Sequence, residues 1–362
     1  MTVSPAAVSA FPFGTIKLYC PVPLQEHPLG AGTLDSQGAE WCVRQGLCEP
    51  GSFSTRMNLG LLTATGMPYL TDQAAEAFCL YSYWAFLWDD HLDALAKDFG
   101  KAVLHITECA WAVREPDDPA MPDNKWLAAL REVMRMMEAC ATPADARTLR
   151  VMNTFWLGAT TWRLALQEQG VRPTLGEYLR MRVTKSGLDV LAFFTGTGAG
   201  YPLTPEELAD PAVRAFSETV GSACSFFNDL LSMFKEAALG QAGINILSLI
   251  GGDEDIDPLA ALERVWELYE RIVCLTMRLQ RQLLADPRAN VARFAAELPA
   301  WLPATLHFTT TSARYLELPG TDGTPLAPPE LVMTSTPNRW DPDDLTPPPI
   351  PEIAWWWQQL TP

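Results

Sequence analysis

Phe226-Phe227-Asn228-Asp229-Leu230-Leu231-Ser232-Met233-Phe234-Lys235-Glu236 is the stretch on which the reading of the fold turns. Asn228, Ser232 and Glu236 are four apart, so on an α-helix they stack along one face. The surrounding phenylalanines, leucines and methionine make the rest of that helix apolar and therefore buried. A polar line on a buried helix needs a partner, and all three residues offer oxygen. A second such face stands 139 residues before Asn228, in Asp89-Asp90-His91-Leu92-Asp93. Asp89 and Asp93 share a face there, among Tyr81, Trp84, Phe86 and Trp88. Two helix faces of oxygen donors suit a hard divalent cation such as Mg²⁺, which completes its shell with water and substrate phosphate. The pair points to chemistry on a diphosphate.

Outward from these motifs the chain reads as helices. Thr71-Asp72 is an N-cap before Ala74–Leu95, which is apolar nearly all round and predicts a central buried helix. Helical periodicity continues over 56–66, 102–113, 126–140 and 143–169. Thr174-Leu175-Gly176-Glu177 forms a capping box for a helix through Arg182 that breaks near Ser186-Gly187 and resumes to about Gly196. Further helices are expected over 211–238, 258–284 and 289–316, and residues 1–50 read as irregular. Strand alternation is absent at any length that matters, and the fold class is all-α. From Leu316 onward prolines accumulate, with Pro347-Pro348-Pro349 ahead of Trp355-Trp356-Trp357. This tail is expected to be extended or disordered, with its tryptophans packed back on the domain or held for a partner.

The composition closes off several classes. Its 26 basic against 43 acidic residues give a formal charge of −17, which disfavours nucleic acid and anionic membrane as partners. No apolar run reaches membrane-spanning length, and the N-terminus lacks the basic residues of a secretory signal. Eight scattered cysteines without a C-x-x-C pair read as reduced core thiols, which places the chain in the cytoplasm.

These residues together resemble the bacterial class I terpene synthases (terpene cyclases). Asp89-Asp90-His91-Leu92-Asp93 matches the family's aspartate-rich motif. Asn228-Asp229-x-x-Ser232-x-x-Lys235-Glu236 matches its second metal motif. Arg182 stands 46 residues before Asn228, where the family has a diphosphate-sensing arginine, and Arg314-Tyr315 matches its late Arg-Tyr pair. Cys20-Pro21, Trp41 and Gly46-Leu47 look like its N-terminal segment. Lys185 stands where the family often has Asp or Thr. The likeness spans roughly 15–316, which sets the expected organisation: a flexible 1–15, a single helical-bundle domain over 16–316 with a central apolar active-site cavity, and a proline-rich tail over 317–362.

The resemblance implies Mg²⁺, three ions by expectation, held by Asp89, Asp93, Asn228, Ser232 and Glu236. It implies a diphosphate bound by Arg182, Lys235, Arg314 and Tyr315, with Arg182, Asp89 and Asn228 the residues on which ionisation depends. The substrate is a linear isoprenyl diphosphate, C15 farnesyl favoured, and the product a cyclised terpene. Gly158, Ala159, Ser222, Ala223 and Cys224, small residues near the expected cavity wall, keep a C20 substrate open. An allylic cation requires an apolar pocket with aromatic faces. Phe53, Phe78, Phe86, Phe155, Trp156, Phe193, Phe227, Trp301 and Phe308 are candidates for it, with Phe78, Phe86, Phe193 and Trp301 the selected lining. Ordinary core packing is the competing role for all of them. A homodimer is compatible with the resemblance. Two other functions compete: a chain-elongating prenyltransferase, which would carry a second aspartate-rich motif in place of the Asn/Ser/Glu set, and a non-catalytic helical interaction protein working through the tail.

Overall fold

The computed structural model describes residues 15–238, 244–316 and 331–361, excepting the side chains of 233–238, 258, 316 and 331. In chain order the elements are β1 (Ile16–Tyr19), α1 (Ala31–Arg44), α2 (Leu59–Gly66), α3 (Asp72–Leu95), α4 (Phe99–Arg114), α5 (Lys125–Glu138), α6 (Pro143–Gln169), α7 (Leu175–Lys185) and α8 (Leu188–Gly198). They continue with α9 (Pro205–Ala209), α10 (Pro211–Ala238), α11 (Ile246–Asp253), α12 (Pro258–Leu284), α13 (Ala289–Glu297), α14 (Trp301–Thr311), α15 (Ala313–Leu316), β2 (Leu331–Thr334) and α16 (Pro351–Ala354). Among the described residues the fold is all-α apart from one two-stranded sheet. The chain divides into two compact units. The first holds Gln25–Val171 and Thr184–Thr204; the second holds the chain up to Leu24, Arg172–Val183 and everything from Pro205 on.

In the first unit α3 is the buried axis. Thr71 caps it, its Oγ1 accepting from the Ala74 amide at 3.3 Å, and Asp72 in the first turn complements the helix dipole. Helices α1, α2 and α5 pack on α3, α4 packs on α6, and α6 packs on α8. The aromatic residues of α3 build the core. Trp84 stacks on Trp88 at 5.4 Å between ring centroids, and Trp156 of α6 meets Tyr81, Trp84 and Trp88 at 6.0, 6.2 and 5.6 Å. Each polar tip has a partner, as burial demands. Tyr81 donates to Asn153 Oδ1 (2.7 Å), Trp84 to the Trp126 carbonyl (3.0 Å), Trp88 to His105 (3.1 Å) and Trp156 to the Lys185 carbonyl (3.0 Å).

In the second unit α10 packs on α12 and α14, and α11 packs on α12. Phe227 of α10 lies against Trp266 and Tyr269 of α12 at 6.1 and 4.8 Å. The described part of the tail belongs to this unit. Strand β2 pairs in parallel with β1, Ile16 opposite Leu331 through Tyr19 opposite Thr334. Glu270 of α12 is fully buried. Its Oε2 accepts from the consecutive amides of Asn338, Arg339 and Trp340 at 2.8, 2.5 and 3.2 Å. The Arg271 guanidinium lies 4.0 Å over the Trp340 ring. Trp356 and Trp357 are buried against the helices, and Trp356 donates to Glu218 at 2.8 Å. Of the two roles left open for the tryptophans, the fold uses packing.

The structure corrects three sequence expectations. The stretch read as irregular over 1–50 contains a helix: Leu34, Gly38, Trp41 and Cys42 form the buried stripe of α1, a helical spacing obscured by Pro21, Pro23, Pro28, Gly30 and Gly32 around it. Residues 1–14 lie outside the described residues. Helix α11, capped by Asn245 Oδ1 on the Leu247 amide at 3.0 Å, lay too close to the end of α10 to be separated by periodicity. The helix over 289–316 is three pieces: Ser312 leaves α14 with extended ψ (133°), and its Oγ accepts from the Arg314 amide at 3.2 Å to begin α15.

Candidate active site

The acidic motif ends α3 in the first unit. Asp89, Asp90 and Asp93 are half-buried, and one carboxylate oxygen from each lies within 4.8 Å of the others. Like charges held that close, on a helix whose other faces are packed, repel one another. A divalent cation relieves this, and an all-oxygen donor set fits Mg²⁺ or a similar hard ion. Arg163 of α6, which sequence reasoning passed over, also meets the cluster: Nη2 donates to Asp93 Oδ1 at 2.7 Å, with both side chains nearly buried (11% and 12% exposed). Its signal was its place on α6, three residues after Thr160, but nothing in the chain's order linked it to Asp93, 70 residues earlier.

His91, inside the motif, does not face it as a ligand. Its ring stacks on Trp126 at 4.5 Å and meets His105 edge-on at 5.2 Å. Burial, with Lys125 adding to it, lowers the His91 pKa. Burial, with His91 adding to it, pushes His105 down to about 4. Its folded pKa lies below the unfolded one, so the unfolded chain takes up the proton first. The stability contributed is complete above about pH 6.5 and is lost as pH falls toward 4. We expect the melting temperature of the protein to drop between pH 6.5 and 5 more than that of His105→Gln, whose amide can still accept from Trp88. Parallel curves would rule His105 out as the titrating group.

The second motif is built in the second unit by four helices, α7, α10, α11 and α15. Asp229 of α10 is 3% exposed. It accepts from Tyr178 Oη, from Arg182 Nε at 3.0 Å and from the Ile246 amide at 3.4 Å. Its carbonyl accepts from Asn245 Nδ2 at 2.6 Å. Tyr178 and Arg182 are one turn apart on α7, so a single buried carboxylate fixes that face of α7 and the start of α11 at once. Arg182 Nη2 donates to Asn228 Oδ1 at 2.7 Å, and Asn228 Nδ2 donates to Tyr315 Oη at 2.7 Å. A guanidinium has no acceptor, so the Asn228 amide oxygen faces Arg182. That oxygen is the atom a metal would take. Ser232, buried one turn on, donates to the Asp229 carbonyl at 3.4 Å. Arg314 is buried beside Tyr315 on α15. The Lys235 and Glu236 side chains lie outside the described residues. Asn228, Ser232, Arg182 and Tyr315 of the sequence-derived set are thus joined in one network, with Asp229 at its centre.

Just beyond Arg182 the helix stops. Gly187 adopts φ 73°, a conformation L side chains rarely take, and its turn separates α7 from α8.

Of the selected lining residues, Phe78 is buried and stacks on Phe194 at 5.6 Å. Phe193 on α8 and Trp301 at the start of α14 are buried, and Phe86 is half-buried. Phe227 is core between α10 and α12. Two candidates are ruled out: Phe155 is 65% exposed and Gly158, one turn along α6, is exposed with it. They form the outer face of an amphipathic helix.

Comparison with known proteins bears on what this site does. Residues 81–273 match the family model "terpene synthase family 2, C-terminal metal binding". The bonnadiene synthase of Allokutzneria albata is 26% identical over 96% of this chain and 98% of its own. The (+)-T-muurolol synthase, (2E,6E)-farnesyl diphosphate cyclizing, of Streptomyces clavuligerus is 26% identical over 95% and 82%. Among solved structures, an SVS_A2 protein from ancestral sequence reconstruction superposes with a TM-score of 0.79 at 23% identity, covering 94% of this chain and 97% of that one. At that identity it supports the fold.

Proposed function

The chain belongs to the terpene synthase family, and from that premise we propose that it is a Mg²⁺-dependent class I cyclase that ionises a linear isoprenyl diphosphate and closes the carbocation into a terpene. The observation that carries this reading is the Asn228–Arg182–Asp229–Tyr315 network beside Ser232, which orients diphosphate donors and a metal-ligand oxygen from one buried carboxylate. Breaking the carbon–oxygen bond leaves charge on diphosphate, and that charge must be neutralised as it develops. Three Mg²⁺ ions supply Lewis-acid stabilisation of those oxygens when bound. Asp89 and Asp93 would hold them from one side, and Asn228, Ser232 and Glu236 from the other. Arg182, Lys235, Arg314 and Tyr315 donate hydrogen bonds to the diphosphate. Phe78, Phe86, Phe193 and Trp301 keep water from the cation and present aromatic faces to it.

Farnesyl diphosphate is the favoured substrate, the one named for the T-muurolol synthase. Ala159, Ser222, Ala223 and Cys224 leave geranylgeranyl diphosphate as the second reading. No described helix is long and apolar enough to cross a membrane. The free cysteines support a cytoplasmic location.

The test is product analysis by gas chromatography–mass spectrometry with geranyl, farnesyl and geranylgeranyl diphosphate in turn. A cyclic hydrocarbon or alcohol from one of them is expected. EDTA should abolish it and added Mg²⁺ restore it. A longer prenyl diphosphate formed only when isopentenyl diphosphate is added would identify a prenyltransferase instead. No turnover of any substrate by the folded protein would leave the non-catalytic reading standing.

A further inference from the structure

We propose that Glu352, in the C-terminal segment beyond the family's metal-binding region, is a positioning residue for Arg182, acting through the first turn of α7. Glu352 belongs to α16, and its carboxylate lies over Gly176 in that turn. A Cβ built on Gly176 would collide with both Glu352 carboxylate oxygens. Glu352 also pairs with Arg180 at 3.7 Å, on the side of α7 away from Tyr178 and Arg182. A carboxylate at a helix start is favoured by the helix dipole and by the unpaired amides there.

The start of α7 needs such a contact. It borders a cavity of about 580 Å³ lined by Leu175, Ile250, Arg264, Leu268 and Ile350, so close packing does not hold it on that side. Its own capping box, with Glu177 accepting from the Thr174 amide at 2.9 Å and Thr174 from the Glu177 amide at 3.2 Å, fixes the turn but not its place in the unit. Two residues earlier Arg172 ties the chain to α11 through the Ser248 and Leu249 carbonyls, at 2.9 and 2.6 Å. Glu352 is the tail's hold on the helix proper. The tail is secured elsewhere by Glu270, β2 and the buried Trp356, so losing the Glu352 carboxylate loosens the first turn of α7 without freeing the tail. Six residues after Gly176 comes Arg182, and slack at one end of an 11-residue helix reaches the other.

The inference rests on Arg182 serving the diphosphate, so the experiment separates the two. Glu352→Gln, Gly176→Ala and the double variant are compared with the parent. The readouts are hydrogen exchange of the α7 amides, calorimetric affinity for inorganic diphosphate with Mg²⁺, and kcat and KM on the turned-over substrate. Gly176→Ala evicts the carboxylate while adding a better helix former, so a loss there is not a loss of helix. Each single variant should speed exchange in α7 and weaken diphosphate binding about fivefold, with KM rising more than kcat falls, as expected for one lost partly screened charge contact. The double variant should be no worse than either single one, because both remove the same contact. Unchanged exchange in Glu352→Gln, or additive losses in the double variant, would overturn the proposal. If Arg182→Ala leaves diphosphate affinity intact, the reading of Arg182 fails instead, and the α7 exchange result still decides whether Glu352 holds that helix.

Discussion

Asp229→Ala should lower kcat/KM by about a thousandfold, more than any single substitution among the diphosphate donors, although Asp229 is assigned no contact with substrate. A thousandfold corresponds to about 4 kcal/mol of transition-state stabilisation. The size follows from what the carboxylate holds. It fixes Arg182 Nε and Tyr178 on α7 and the Ile246 amide at the start of α11. Without it the nearly buried Arg182 loses the carboxylate that its Nε meets at 3.0 Å and the charge that stands opposite its guanidinium at the centre of the network. A donor that must meet developing charge within a few tenths of an ångström loses most of its effect when it wanders. Asp229→Asn keeps the shape and one acceptor but not the charge, and should fall between parent and Ala. Steady-state kinetics beside circular dichroism checks this. A folded Asp229→Ala enzyme within tenfold of the parent would show that Arg182 is held by something else.

The second large effect is on stability. Glu270→Ala should cost on the order of 3 kcal/mol, because three consecutive amides lose a shared buried acceptor and water does not readily replace it. Arg339 loses one carboxylate partner as well, with Nη1 3.4 Å from Glu270 Oε1. Glu270→Gln retains an acceptor and should cost less than half as much. Urea titration measures the difference, and limited proteolysis should show the 331–361 segment cut sooner in the Ala variant. Equal midpoints for Ala and parent would mean that the tail docks without this carboxylate.

Much of this was legible in the chain. The bounds of α6 and α12 followed from apolar periodicity and an initial proline, and Thr71 and the Thr174–Glu177 box announced their helices because capping is local chemistry. The four-residue spacings of both motifs put oxygen donors on one face without reference to the rest of the fold. What was not legible depends on distant pairing. Arg163 meets Asp93 because α6 lies against α3, as the contacts of Trp156 with Tyr81, Trp84 and Trp88 show, and no spacing encodes that. Asp229 was given no role of its own from the sequence, since a carboxylate's worth as a hub depends on which donors surround it. Phe155 was offered as pocket lining because residue type was read without helix phase. Glu270 drew no reading from the sequence, because its partners are backbone amides of the tail 68 to 70 residues on.

The parallel pairing of β1 with β2 has a consequence for how the chain is made. Ile16 and Leu331 are register partners, separated by nearly the whole polypeptide, and Tyr269 Oη donates to the Tyr19 carbonyl at 2.9 Å. During synthesis the first unit has all its residues once Thr204 has emerged from the ribosome. The second unit's opening strand must wait, unpartnered, until residue 334 follows it out. Closing so long a loop carries an entropic cost that grows slowly with length, yet contacts of this separation form late. The nascent chain therefore spends most of its synthesis with one exposed strand edge, and a premature stop anywhere before β2 would release a protein that retains that edge and invites association through it.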